Sequence, residues 1–197
     1  MVSVFKIEGI LQRRSLPMTD FTELDDEALA ARIVGDSSAY SILYNRYFPA
    51  VYRYIYYRVG NTMDAEDLTS KVFMKALDSL VNQQYDRKGK FSAWLFTIAR
   101  HRVIDFYRTN KDNLQVGLPD LFPDSTLSMD QMEDMKHIAN LITQLDKDAQ
   151  ELLRLRFSAG LDFGAISRIV GRSESSVKVK LYRAIKHLHD RWEEKND

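Results

Sequence analysis

The chain has 197 residues, with 28 basic and 28 acidic side chains, 45% hydrophobic residues, eight glycines, four prolines and no cysteine. That length allows one ordinary domain or two small ones with a buried core. The lack of cysteine excludes disulfide scaffolds, thiol catalysis and Cys-ligated zinc. No apolar run approaches the roughly 20 residues that span a bilayer, and Lys6 and Glu8 interrupt the apolar stretch a signal peptide would need, so the expectation is a soluble, cytoplasmic, mostly helical protein.

The neutral total conceals a segregation of charge. Residues 21–110 carry a net +1, residues 111–150 a net −5 and residues 151–197 a net +3. The acidic middle also holds Gly117, Pro119 and Pro123, which are turn and linker chemistry. The pattern reads as an N-terminal extension (1–23), a helical domain (24–112), a linker (113–135) and a second helical domain (136–194). A long surface loop within a single domain is the competing reading. In the extension, Val4, Ile7, Ile10 and Leu11 have the spacing of a short amphipathic helix.

From Asp25, the positions of Leu29, Ile33 and Val34 predict a short helix stopped by Gly35-Asp36-Ser37. A longer helix follows through Tyr40, Leu43, Tyr44, Tyr47, Val51, Tyr54, Ile55 and Arg58, with Pro49 predicted to kink or briefly break it. Gly60-Asn61 is a stop. In D-A-E-D-L-T-S-K-V-F-M-K-A-L, the residues Asp64, Glu66 and Asp67 cluster at a helix start. Capping and compensation of the helix dipole account for such acids, and so would contact with a partner protein. Leu68, Val72, Phe73, Ala76, Leu77 and Leu80 form the buried stripe behind them.

A polar loop, N-Q-Q-Y-D-R-K-G-K, offers Tyr85, Asp86, Arg87, Lys88 and Lys90, and runs into a helix over 91–108. Phe91, Trp94, Leu95, Ile98 and Phe106 share its core face. Phe96, Arg100, Ile104 and Tyr107 share the other, flanked by His101 and Arg108. Alternating rings and guanidinium groups beside a basic loop suit single-stranded nucleic acid, because bases stack on rings and phosphates sit on cations. A helix buried on two sides gives the same pattern.

Residues 136–157 read as a helix broken near Asp146, with Ile138, Leu141, Ile142, Leu145, Leu152, Leu153, Leu155 and Phe157 as its stripe. Asp162 caps a short helix carrying Phe163, Ile166, Ile169 and Val170. Gly171-Arg172 turns the chain, and Ser173 caps a last helix with Val177, Leu181, Ala184, Ile185, Leu188 and Trp192 inward. Two helices joined by a tight glycine turn, the second strongly basic, describe a helix-turn-helix. Its outward face gathers Ser175, Lys178, Val179, Tyr182, Arg183 and Lys186, with Arg172 and Ser176 close by. That mixture supplies hydroxyls, cations for phosphates or guanine edges, and an apolar group for a thymine methyl. The plainer reading is a solvated basic helix.

Over about 24–192 the chain resembles the bacterial extracytoplasmic-function (ECF) sigma factors of RNA polymerase. The resemblance is carried by D-A-E-D-L-(x3)-V-F-M-K-A-L, F-S-A-W-L-F-T-I-A-R-(x4)-D-F-Y-R and G-L-D-F-G-A-I-S-R-I-V-G-R-S-E-S-S-V-K-V-K-L-Y-R-A, in that order. It implies an all-α fold of two small domains, a sigma region 2-like helical bundle and a sigma region 4-like helix-turn-helix, joined by an acidic linker lying in the RNA exit path. It implies that Asp64, Glu66 and Asp67 face the polymerase, and that Tyr85, Asp86, Arg87, Lys88, Lys90, Phe96, Arg100 and His101 serve the −10 element. The −35 element falls to Arg172, Ser175, Ser176, Lys178, Val179, Lys180, Arg183 and Lys186. The implied partners are core RNA polymerase (clamp and flap), promoter DNA and an anti-sigma factor, with no cofactor, no metal and no stable membrane insertion.

Four positions depart from the family pattern. Ser70-Lys71 replaces the usual polar-acidic pair, Val179 a frequent serine, and His101 an asparagine. A stand-alone helix-turn-helix regulator, dimeric on a palindrome, is the main alternative, and a protein-only adaptor a second. An enzyme fits least: there is no P-loop, G-x-G-x-x-G or H-E-x-x-H. His101 and Asp105 alone are too few for a metal site, and His187 and His189 point to different faces.

Overall fold

The computed structural model describes residues 24–86, 89–110 and 129–196. The expected amphipathic extension, Arg87, Lys88 and linker residues 113–128 lie outside them. The described residues form eight α-helices and no strand: α1 (Asp26–Arg32), α2 (Ser38–Val59), α3 (Thr62–Val81), α4 (Phe91–Thr109), α5 (Met129–Gln144), α6 (Lys147–Leu153), α7 (Phe163–Val170) and α8 (Glu174–Asn196).

Short-range chemistry sets most of the helix ends. The Asp25 carboxylate accepts the Ala28 N–H at 2.7 Å and starts α1. The N–H groups of Gly35 and Asp36 both return to the Arg32 carbonyl, and the chain turns away there. Val34, expected on the buried stripe, is therefore exposed. Asn61 accepts the Asp64 N–H at 2.8 Å and starts α3, while Gly60 ends α2 at φ 79°. One end is capped from far away. The Phe91 N–H that opens α4 donates to the Glu27 carboxylate of α1, at 2.9 Å.

Pro49 does not break α2, which runs unbroken from Ser38 to Val59. Pro49 and Asn45, whose carbonyl loses its helical donor there, are both exposed, so that oxygen is not sealed in the core. Leu43 on one side of it and Val51, Tyr54 and Ile55 on the other are all buried, so packing keeps the helix continuous across it. α2, α3 and α4 pack against one another, with α1 across α2. The Tyr40 hydroxyl donates to the Phe73 carbonyl at 2.5 Å, pinning α2 to α3, and burial raises its pKa well above the usual tyrosine value.

In the second half, α5 begins at Met129, ahead of the expected 136. The break falls at Leu145-Asp146 as the sequence suggests, and Asp146 accepts the Ala149 N–H at 2.9 Å to start α6. α6 continues into a π-helical turn, Arg154–Ser158, which the sequence reading lacked. An i→i+5 turn admits one extra residue and shifts the phase of everything after it. Leu155 is fully buried, whereas Phe157, expected on the same stripe, is 63% exposed, because residues two apart fall on opposite sides of a helix. Asp162 caps α7 through the Ala165 N–H at 2.7 Å, and Gly171 closes it at φ 68°. Ser173 then caps α8 through the Ser176 N–H at 3.3 Å. Val177, Leu181 and Ala184 are the buried positions of α8.

The two halves are not separate bodies. α4 packs on α7 and α2 on the π-turn, so one core includes Tyr54, Ile55 and Phe96 together with Leu152, Leu155 and Ile166. Leu155→Ala is expected to cost about 2–5 kcal/mol, and Phe157→Ala no more than about 0.5 kcal/mol, in urea unfolding. Equal losses would mean that Leu155 and Phe157 are not divided between core and solvent as the structure has them.

Candidate nucleic-acid and polymerase interfaces

The helix-turn-helix face is assembled by α8, and its charges are paired by acids at the start of α6 and of α8 itself. Ser175, Ser176, Val179, Tyr182, Arg183 and Lys186 are all exposed. Four of them, Ser175, Ser176, Val179 and Arg183, line an open groove of about 680 Å³ beside Asp146 and His187. Val179 and Tyr182, at 50% and 60% exposed, are apolar groups that packing leaves unused.

The cations divide into two sets. Arg172 pairs with Asp148, and Lys180 lies 3.1 Å from both Asp146 and Asp148. Lys178 lies 2.6 Å from Glu174 and stands 5.2 Å over the Phe163 ring. Arg183 and Lys186 have no ion pair among the described residues. The Asp146 carboxyl is held below its ordinary value, chiefly by the Ala149 N–H and then by Lys180. At Asp148 burial works against the charge, but Lys180 and Arg172 outweigh it and the pKa is again lowered. Depressed carboxyl pKa values stabilise the fold above the unfolded value of 3.8 and lose that effect as pH falls through the depressed ones, so these pairs are complete at neutral pH.

The loop and helix expected at the −10 element are largely turned inward. Tyr85 is buried, with its ring 4.6 Å from Trp94 and 5.9 Å from Phe91, and its hydroxyl donates to the Gly89 carbonyl. Phe96 has no exposed surface and meets Tyr54 edge-on at 5.6 Å. Two-sided burial of α4 is thus the arrangement in this conformation. Asp86 and His101 are exposed. Lys90 reaches across to Asp162, the cap of α7, at 2.5 Å.

Arg100 enters a network that sequence reading missed. Glu151 of α6 is only 7% exposed, yet it accepts from the Tyr54 hydroxyl at 2.7 Å, pairs with Arg58, and lies 3.5 Å from Arg100. Tyr107 donates its hydroxyl to the Arg58 carbonyl, and Arg53 donates to the Ser158 carbonyl at 2.5 Å. Burial opposes the charge on Arg58, but Glu151 and the neighbouring tyrosines outweigh it and raise its pKa. Arg154 fares differently: burial and then the charge of Arg58 lower its pKa. The one available signal was a carboxylate four residues before Leu155, hence on the same helical face as a core leucine.

On α3 the acidic start is exposed at Glu66 and Asp67, while Asp64 is half-buried and accepts from the Asn61 amide at 2.7 Å. Lys71, one of the departures noted above, lies 2.6 Å from Asp67. Among the described residues no three His, Cys, Asp or Glu side chains are grouped to hold a metal, and no helix is long and apolar enough to cross a membrane.

Comparison with known proteins places both halves. Residues 43–112 match Sigma-70 region 2 and residues 136–188 match Sigma-70, region 4. The chain is 35% identical over 160 residues to the ECF RNA polymerase sigma factor BldN of Streptomyces coelicolor, an alignment covering 78% of this chain and 60% of the relative. The chain belongs to the ECF sigma factors. It is also 26% identical over 166 residues to SigX of Bacillus subtilis, covering 78% of this chain and 84% of that one. The all-α, two-part fold is similar to that of CnrH, solved in complex with the cytosolic domain of CnrY, with TM-score 0.64 and 22% identity over 85% of this chain and 97% of that one.

Within this sigma factor, the pairs made by Asp148 have a measurable consequence. Asp148→Asn releases Arg172 toward solvent and leaves Lys180 with Asp146 alone. Binding of the free chain to random-sequence duplex is expected to tighten about three- to tenfold, with a salt slope steeper by about one. The pairs are half-exposed, so the change in stability should stay within about 1 kcal/mol. An unchanged salt slope would show that neither cation was withheld.

Proposed function

We propose that this chain is a transcription initiation factor that binds core RNA polymerase, recognises −35 and −10 promoter elements and helps melt the promoter. The observation that carries this reading is the order of parts. A region 2 bundle precedes a region 4 helix-turn-helix whose outward face still presents Ser175, Ser176, Val179, Arg183 and Lys186. Lys178 joins that face from the Glu174 side, and Arg172 and Lys180 join it once DNA phosphates compete for them. The family matches support domains at 24–112 and 136–194, with α5 reaching back to Met129.

The physical logic is that of shared weak contacts. The chain is neutral overall, and half of its helix-turn-helix cations are internally paired, so duplex affinity of the free protein is low. Tethering both domains to polymerase raises their effective concentration at adjacent elements. The protein acts by binding in the cytoplasm, not by catalysis. An anti-sigma partner is part of the proposal, because the sigma factor RpoE of Bartonella quintana, similar in fold with TM-score 0.57, was solved in complex with the anti-sigma factor NepR. Capture of unstacked bases by aromatic and cationic groups of the first domain offsets a melting cost of a few kcal/mol.

Run-off transcription from a promoter library with purified core polymerase is the test. Transcripts are expected only with both components present. Lys178→Glu combined with Arg183→Glu should reduce them at least about tenfold with the fold intact, as loss of two DNA-contacting cations requires. A dimer on palindromic duplex without polymerase would favour the stand-alone regulator instead. Lys71→Glu is expected to tighten the polymerase complex about three- to tenfold by freeing Asp67 and adding an acid to that face; weaker binding would place the clamp contact elsewhere.

A further inference from the structure

Glu151 is a buried carboxylate between the two domains, and its surroundings resemble those of a bound phosphate. One oxygen receives the Tyr54 hydroxyl and faces Arg100, and the other receives Arg58. Two guanidinium groups and a hydroxyl around one oxyanion are the chemistry by which proteins hold a nucleic-acid backbone. Arg154, half-buried and hydrogen-bonded to Gln150, adds a third guanidinium near the cluster. One carboxylate among three such cations leaves the cluster net positive even when closed.

Two of these donors, Tyr54 and Arg58, come from α2, and Arg100 from the α4 face expected to meet the melted strand. Tyr107 of α4 holds Arg58 in place through its backbone carbonyl. Phe96, on the same face, is sealed from water. Around the carboxylate lie two weaker ties, Arg53 to the Ser158 carbonyl and Lys90 to Asp162, the latter pair more than half exposed. A strand approaching this face meets α6 and α7 of the chain itself.

We propose that Glu151 stands in for a promoter-strand phosphate: in the free chain it fastens the second domain over the −10 face of the first, and on opening Tyr54, Arg58 and Arg100 pass from this carboxylate to the backbone of the melted strand. The proposal rests on the initiation-factor reading and deepens it by adding Tyr54 and Arg58 to the −10 face. The exchange is near balance for a physical reason. The closed pair is intramolecular, but its carboxylate has given up its water, whereas a DNA phosphate brings the entropy of counterion release. Separation of the two domains by polymerase then tips the exchange toward DNA.

The absence of cysteine makes the test direct, since introduced thiols are unique. Dyes at Asn45→Cys on α2 and Gln144→Cys on α5, both exposed positions, report the separation of the domains in the full chain. A fluorescent single-stranded oligonucleotide of random sequence probes the strand-binding face. Glu151→Ala is expected to lengthen the dye separation and to tighten oligonucleotide binding about tenfold, the factor by which a mostly closed chain weakens its own site. Adding Arg58→Ala should leave the chain open but reverse the gain and lower the salt slope by about one. Unchanged separation, or opening with no gain in affinity, overturns the proposal.

Should Glu151→Ala fail to fold by circular dichroism, a reducible bis-maleimide bridge between Arg53→Cys and Ser158→Cys replaces it. The bridged chain should not bind the oligonucleotide, and reduction should restore binding; equal binding before and after reduction overturns the proposal. Core-polymerase pull-down and transcription run in parallel separate the two readings. A bridged chain that initiates as well as the reduced one overturns the closed state and leaves the initiation factor standing. A chain that never associates with polymerase overturns the initiation-factor reading, while the dye and oligonucleotide results still judge the role of Glu151.

Discussion

A carboxylate can remain charged away from water only where protein donors replace the hydration it has lost. At Glu151 those donors belong to the other half of the chain: the Tyr54 hydroxyl and the Arg58 and Arg100 guanidinium groups. The interface is therefore specific in a way that apolar packing alone would not be. Leu152, Leu155 and Ile166 would accept many oils against them, but Glu151 accepts one register. Much else in the structure follows from that register, including the burial of Phe96, the placement of the π-turn on α2, and the reach of Lys90 to the cap of α7.

The same economy of charge recurs at the helix-turn-helix. Asp146 and Asp148 open α6, where negative charge is favoured by the helix dipole, and from there they hold Lys180 and Arg172. One pair of acids thus starts a helix and tempers cations of α8 and of the turn before it. A sequence of zero net charge can in this way carry nucleic-acid-reading faces without adhering to every polyanion. Affinity is left to be assembled from several modest contacts made at once, which suits a protein that works in a larger complex.

Much of the architecture was legible from one-dimensional pattern. Asp25, Asn61, Asp146, Asp162 and Ser173 cap helices because their short side chains reach a backbone N–H two or three residues on, a property that depends on neighbours alone. Gly60 and Gly171 stop helices because only glycine takes positive φ without strain. The errors were equally physical. The break expected at Pro49 does not occur, because buried residues on either side of it keep α2 continuous. Phe157 cannot share a stripe with Leu155, since residues two apart lie on opposite sides of a helix, and only Leu155 faces the core. Tyr85 and Phe96 were counted with the nucleic-acid face, and the alternative of burial, equally consistent with their spacing, is what packing imposes in this conformation.

Local signals in the sequence thus determined that this protein is all-α, where its helices begin and end, and that its last helix pair is a basic helix-turn-helix, because caps, stops and amphipathic stripes act over three or four residues. Family resemblance, also read from the sequence, assigned its parts to polymerase and promoter. Only the tertiary structure decided which charges are available. Whether a cation faces solvent or an acid depends on what lies opposite it, as with Arg58 and Glu151 or Lys180 and Asp148. Such partners are separated by tens of residues along the chain and meet only because two helical surfaces fit together.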